Sequence, residues 1–302
     1  MASRRRLPRR KGNGGDANPH FVNELCSLVN PFCDAANGAR WPISGGIGSV
    51  TFQVREVITL TSGAGGYAGL VYFPGAGGEY RDTDATVATT MTIPASLPDG
   101  EAVYKALHVA GIADFRVINA GCRWWDIAAS SAVGGTVIAT ELSSIDNVLG
   151  DAIDMTSMSY GVATMALDRR VPGIWVGKRN RITNLMSPAA SAGNADGNMS
   201  GLMLSVSGPA SSAILQVEIV MNIEFTFDHD HALSASTPKP RDRPAHVVEL
   251  LERGRATLVK ASPSFFDGMT STFEKTIVSI AKSTAKSILR DVLNPSSILK
   301  LL

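Results

Sequence analysis

Apolar and polar residues alternate for fourteen positions from Ile214 to Phe227, ILQVEIVMNIEFTF. Leu215, Val217, Ile219, Met221, Ile223, Phe225 and Phe227 occupy the odd positions. Gln216, Glu218, Asn222, Glu224 and Thr226 occupy the even ones, with Ile214 and Val220 as the apolar exceptions. Successive side chains of a strand point to opposite faces, so this period of two predicts a β-strand with one buried and one mostly polar face. At roughly 3.3 Å per residue the strand spans on the order of 45 Å, which places it in a large sheet.

Weaker versions of the pattern recur along the chain. Residues 51–61 alternate in part, with Phe52, Val54, Ile58 and Leu60 on one face and Glu56 interrupting it. Residues 67–73, 85–93, 134–142, 160–167, 173–177 and 201–207 read as further strands, and 114–128 as a second long one. In that second long strand strict alternation puts Phe115, Val117, Trp125 and Ile127 on one face. Ile118, Cys122 and Trp124 fall on the other, and Arg123 shares the Trp125 face, where it either ends the buried stretch or stacks on an aromatic ring. The segment 143–159 reads as a loop with a helical turn, and the second GAGG (75–78) opens an acidic loop with Glu79, Asp82 and Asp84. Neither GAGG precedes Gly-Lys-Ser/Thr, so both read as turn glycines and not phosphate loops. About eight strands without regular βα alternation predict an all-β fold, an eight-stranded antiparallel jelly-roll sandwich.

Helical spacing appears only outside this region, apart from a short candidate at 100–109. Phe21, Leu25, Leu28 and Val29 predict a short helix stopped near Pro31. Val247, Val248, Leu250, Leu251 and Leu258 predict a helix from Pro244 to Val259. Phe273, Ile277, Ile280, Ala281, Ala285, Ile288, Leu289 and Val292 form an apolar stripe over 271–293, with Lys275, Lys282, Lys286 and Arg290 along another side. The expected organisation is a disordered basic arm (1–18), a short helix and coil (19–47), a shell-like sandwich (48–230), and a linker with amphipathic C-terminal helices (231–302).

Charge sharpens this division. The net charge of +1 is the sum of +6 over residues 1–11, −10 over 12–230 and +5 over 231–302. An arginine-rich arm neutralises phosphates without reading sequence, so two basic ends on an acidic body point to a polyanion partner. A nuclear address is the rival reading of the arm. The residues expected to bind nucleic acid are Arg4, Arg5, Arg6, Arg9, Arg10, Lys11, Lys275, Lys282, Lys286 and Arg290. The tail helix has three readings: on a membrane, against nucleic acid, or simply packed.

Other chemistry is sparse. Cys26, Cys33 and Cys122 match no zinc spacing and read as free thiols. No nucleotide loop, nucleophile elbow or zincin motif is present, and no catalytic residue is expected. The run Asp228-His229-Asp230-His231 is the one metal-like cluster. Asp82, Asp84, Asp151, Asp154 and Asp196 are loop acids. No metal ligand is assigned. No secretory signal and no apolar window of about 20 residues is seen, so no membrane span is expected.

The order of motifs LVNPFCDAANGARWP (28–42), FRVINAGCRWW (115–125), GGTVIAT (134–140) and GLMLSVSGPASSAILQVEIVMNIEF (201–225), behind a basic arm, resembles the capsid proteins of small icosahedral viruses of nodavirus-like and tombusvirus-like type. The likeness covers roughly residues 19–227. It implies a single jelly-roll shell domain, assembly of many copies into an icosahedral virion, arms facing a packaged single-stranded genome (RNA favoured over DNA), and Ca2+ at subunit interfaces as a candidate cofactor. It also implies assembly inside a host cell, in cytoplasm or nucleus, and host-membrane contact by the C-terminal helix during entry. The tail lacks the Asn-Ala pair of nodavirus-like self-cleavage, its only Asn preceding Pro295. The alternative is a non-viral β-sandwich binding module, lectin-like or nucleic-acid-binding, that forms no shell.

Overall fold

The computed structural model describes residues 19–38, 48–74, 78–82, 90–92, 112–127, 135–142, 152–154, 162–166, 173–177, 187–188, 199–237, 245–261, 279 and 282–283. The long alternating stretch is strand β12 (Ala213–Phe227), central in its sheet. It pairs antiparallel with β1 (Val50–Thr61) on one side and β5 (Ile112–Asp126) on the other. The short strands β9 (Gly173–Val176) and β10 (Ser187–Pro188) pair with different segments of β5's far edge. A second sheet has the order β3-β2-β11-β6-β8, built from β3 (Gly78–Asp82), β2 (Tyr67–Phe73), β11 (Gly201–Ser207), β6 (Thr136–Leu142) and β8 (Val162–Ala166). β4 (Thr90–Thr92) and β7 (Ala152–Asp154) make a separate two-stranded ladder.

Along the chain β1, β2, β5 and β6 fall alternately in the first and second sheet. β8 returns beside β6, and β9, β11 and β12 alternate again. This is a jelly-roll connectivity of two antiparallel sheets. The first turn shows how it is made. Gly66, in the first GAGG, adopts φ +79°, and a Cβ there would lie 2.5 Å from the Gly208 carbonyl oxygen. Only glycine permits both the left-handed backbone and that approach.

The odd side chains of β12 fill the sandwich. Leu215, Val217, Ile219, Met221 and Ile223 are fully buried and join Leu70, Leu202, Leu204, Val206, Trp124 and Trp175 in one cluster. Burying each such side chain contributes about 1.5–3 kcal/mol, which makes this face the main source of stability. Trp175 of β9 and Tyr72 of β2 meet edge-to-face at 6.2 Å and tie the two sheets together.

The all-β sandwich expected from alternation is therefore present, with corrections. The expected eight strands are twelve among the described residues, in two five-stranded sheets and the small ladder. β3 lies where an acidic loop was expected, with Asp82 in a strand; charged residues are compatible with its position on a sheet edge. β7 replaces part of the expected 143–159 loop.

The faces of β5 also differ from strict alternation. Phe115 and Val117 share the core with Cys122 and Trp124, whereas Trp125 points to the opposite face. The ladder explains it: Asn119 pairs with Asn222 and Val117 with Ile223, so Ile118 has no register partner. This extra residue is a β-bulge, which inverts the parity of residues 114–117; a second shift at Ala113 returns Ile112 to the core.

Two helices lie outside the sandwich. α1 (Pro19–Val29) ends where Pro31 follows, and α2 (Ala245–Ala261) begins directly after Pro244. The candidate helix at 100–109 and most of 271–293 lie outside the described residues.

Candidate functional site

From Gln216 to Thr226 the even side chains of β12 point away from the sandwich, and most of them are not wet. Glu218, Asn222 and Glu224 are 5%, 1% and 1% exposed. The alternation marks this face only as mostly polar; around Val220 the structure covers it with the chain's own α1 and α2. Val220, the apolar exception, is the seat. It packs with Leu25, Cys26, Val29, Phe32, Ile174 and Leu251 in a second, separate apolar cluster. The cluster joins β12, β9, α1, the turn after α1, and α2.

Across β12 the polar residues stand in rows set by strand register. Gln53, Asn222 and Asn119 are aligned. Gln53 Nε2 donates to Asn222 Oδ1 (3.2 Å) and to the Pro31 carbonyl (3.3 Å), and Asn222 Nδ2 donates to Asn119 Oδ1 (2.6 Å). Asn119 Nδ2 donates in turn to the Ser27 carbonyl of α1. In the next row Arg116 Nε and Nη2 grip Glu224 Oε2 at 2.8 and 2.7 Å, while Ser49 Oγ donates to Glu224 Oε1 at 2.6 Å. Toward the other end Glu218 pairs with Arg123, and with Arg55 Nε at 3.3 Å. Trp125 Nε1 donates to Gln216 Oε1 at 3.0 Å.

Most of these bonds are made within the sheet, between β1, β12 and β5. That satisfies the groups that the helices bury, and burial without partners would be costly. The helices add few polar contacts, from Ser27 and Pro31, and one cationic one. Arg123 lies over the Phe32 ring at 5.2 Å, which realises the stacking alternative for this residue. Gly121, between Asn119 and Arg123, makes room for the turn after α1. A Cβ there would lie 2.7 Å from the Trp175 carbonyl oxygen, 2.8 Å from Pro31 Cγ and 3.0 Å from Phe32 Cε2. Burial pushes the Cys26 thiol up to about 11 from 9.0, with Cys33 adding to it.

Sequence reasoning named the even residues of β12 but missed Arg116, Asn119, Gln53, Ser49 and Gly121 as their partners. The available signal was a polar array on β12 that needs complementary polar residues on its neighbours, with Val220 breaking it as a docking point.

The residues expected to bind nucleic acid are not brought together here. Arg4, Arg5, Arg6, Arg9, Arg10, Lys11, Lys275, Lys286 and Arg290 lie outside the described residues, and Lys282 is an exposed helical position. Among the described residues no group of three or more His, Cys, Asp or Glu side chains is placed to hold a metal ion. In the Asp228–His231 run, His231 stacks on Phe227 (centroids 4.7 Å apart, 7° between planes) and its Nδ1 accepts the Leu233 N–H. Among the described residues no helix is long and apolar enough to cross a membrane.

No protein-family model and no curated protein matches the chain. Solved structures do. The chain is similar to a subunit of the T13 particle of infectious bursal disease virus, with a TM-score of 0.55 and 9% identity over 89% of this chain and 98% of that one. It is similar to a variant VP2 of the same virus that forms T=1 particles (TM-score 0.53, 10% identity, 87% and 98% covered). A third match is to the subunit of T=1 particles derived from infectious bursal virus (TM-score 0.50, 11% identity, 80% and 93% covered). At this identity the likeness is one of fold: the chain folds as an icosahedral-virus capsid subunit does.

Proposed function

We propose that this chain is a viral capsid protein that assembles with itself into an icosahedral shell and packages a single-stranded genome through its basic ends. The observation that carries the reading is where the ends attach. α1 and α2 form one layer on one face of the sandwich, meeting through Leu25, Val29 and Leu251. The chain enters that layer from the +6 arm at Pro19 and leaves it at Ala261 toward Lys275, Lys282, Lys286 and Arg290. Each basic segment thus adjoins in sequence a helix of this one layer on an acidic body. A shell needs cations on the side that meets the genome. Neutralising phosphates releases counterions and gives sequence-independent affinity. The role is structural and calls for no catalytic residue. The virion is the site of function, and RNA is the favoured cargo.

Expression of the full chain, followed by negative-stain imaging and extraction of nuclease-protected nucleic acid, tests this. Uniform particles holding RNase-sensitive, DNase-resistant nucleic acid are expected. Deleting residues 2–11 is expected to lower packaged nucleic acid at least about tenfold while particles still form. Small discrete species alone would support a binding module instead. Undiminished packaging by the truncated chain would remove the role given to the arm.

A further inference from the structure

We infer that the open edge of β1 is a subunit contact, pairing antiparallel with β1 of a second copy about a two-fold axis at Val57. The inference rests on the shell reading and specifies one of its interfaces. β1 is twelve residues long and stands at the end of its sheet, with β12 as its only partner strand among the described residues. A long exposed edge offers unpaired backbone groups to another strand, and soluble proteins usually blunt such edges with charge, proline or shortness. β3, an edge of the other sheet, follows that rule: it has five residues and carries Glu79, Arg81 and Asp82. β1 does not. From Val57 to Thr61 it reads VITLT, uncharged and β-prone, with neither proline nor glycine.

The unprotected run coincides with the part of β1 that the helical layer leaves bare. Thr51 and Gln53 are partly buried, whereas Arg55, Val57, Thr59 and Thr61 are exposed. Val57 is 50% exposed, one of only two large apolar side chains so placed among the described residues.

Charge excludes two registers, and the exposure of Val57 favours one of those that remain. An axis at Arg55 or at Glu56 would set like charges directly opposite each other, which destabilises an antiparallel pair. An axis at Ile58 would set each exposed valine against Thr59. An axis at Val57 sets Val57 against Val57, Arg55 against Thr59, Glu56 against Ile58, Val54 against Leu60 and Gln53 against Thr61. No like charges then meet, the two exposed valines cover each other, and Glu56 keeps its ion pair with Arg81.

Cysteine cross-linking of the full chain tests the register. Val57→Cys and Thr59→Cys are compared in a Cys33→Ser background, which leaves only the buried Cys26 and Cys122. Residues directly opposite have Cβ atoms close enough for a disulfide, whereas Thr59 lies four positions from its own copy about this axis. Under copper–phenanthroline, V57C is expected to form covalent dimers at least about tenfold faster than T59C. Equal or slower dimer formation by V57C overturns the inference. Sedimentation of the same samples separates it from the shell reading. Particles without the V57C cross-link refute this contact and leave the shell standing; cross-linked dimers without particles do the reverse. Val57→Asp, at a half-exposed position that tolerates it, is expected to raise the concentration needed for association at least about tenfold with unchanged circular dichroism. Unchanged association would also overturn the inference.

Discussion

The Arg116–Glu224 pair makes a demanding test of the covered face. Its side chains are 5% and 2% exposed, and the guanidinium meets one carboxylate oxygen at 2.8 and 2.7 Å. Arg116→Met leaves Glu224 with Ser49 as its remaining donor named above, at 2.6 Å, and no cationic partner. Glu224→Gln removes the carboxylate that the buried Arg116 guanidinium grips. Removing one partner of a buried pair typically costs about 3–5 kcal/mol, because the remaining charge stays desolvated. The Ser49 bond holds Arg116→Met toward the lower end, about 3 kcal/mol, and Glu224→Gln should be similar or larger. The double variant leaves only an under-satisfied amide, at about 1–3 kcal/mol, so the two losses should fail to add by at least about 2 kcal/mol. Against a native stability of roughly 5–15 kcal/mol, each single change is large. Urea unfolding followed by tryptophan fluorescence reads it, since Trp124 and Trp175 are buried. Single losses below about 1 kcal/mol, or strict additivity, would refute a buried and coupled pair.

The seat of the helical layer gives two more expectations. Gly121→Val should press on the Trp175 backbone of β9 and push Pro31 and Phe32 off the sheet, costing about 1–3 kcal/mol and raising proteolysis after α1. Limited proteolysis with mass spectrometry checks this. Cys26 titrates from 9.0 when unfolded to about 11 when folded, so the fold favours the neutral thiol. Its contribution, on the order of 2–3 kcal/mol, is complete below pH 9 and is lost as pH rises through about 11. A Cys26→Ala variant should lack that step in chemical unfolding measured between pH 8 and 11.

Much of this architecture was legible because alternation records burial directly. β12 needed no partner to be recognised, as its odd residues from Leu215 to Phe227 are all apolar and face the sandwich core. The helices at 19–29 and 245–261 followed from spacing bounded by Pro31 and Pro244. β3 and β7 escaped because short, charged edge strands carry almost no periodic signal. The parity of β5 escaped because a bulge is a property of two strands. Nothing within FRVINAGCRWW marks Ile118 as extra until Asn222 and Ile223 claim Asn119 and Val117.

By itself, then, the sequence determined the longer strands and which face of β12 is apolar, the positions of the two docked helices, and the separation of basic ends from an acidic body. These are local or compositional quantities. What covers the polar face was decided only in three dimensions. A polar side of a strand is compatible with water, with another subunit, or with the chain's own helices, because each can satisfy Glu218, Asn222 and Glu224. The choice fell to a distant apolar contact, Val220 with Leu25 and Leu251, and to a glycine at 121 small enough to let Pro31 and Phe32 approach. That contact also brought α1 and α2 together on one face of the sandwich, a relation between residues more than 200 positions apart that no local pattern encodes.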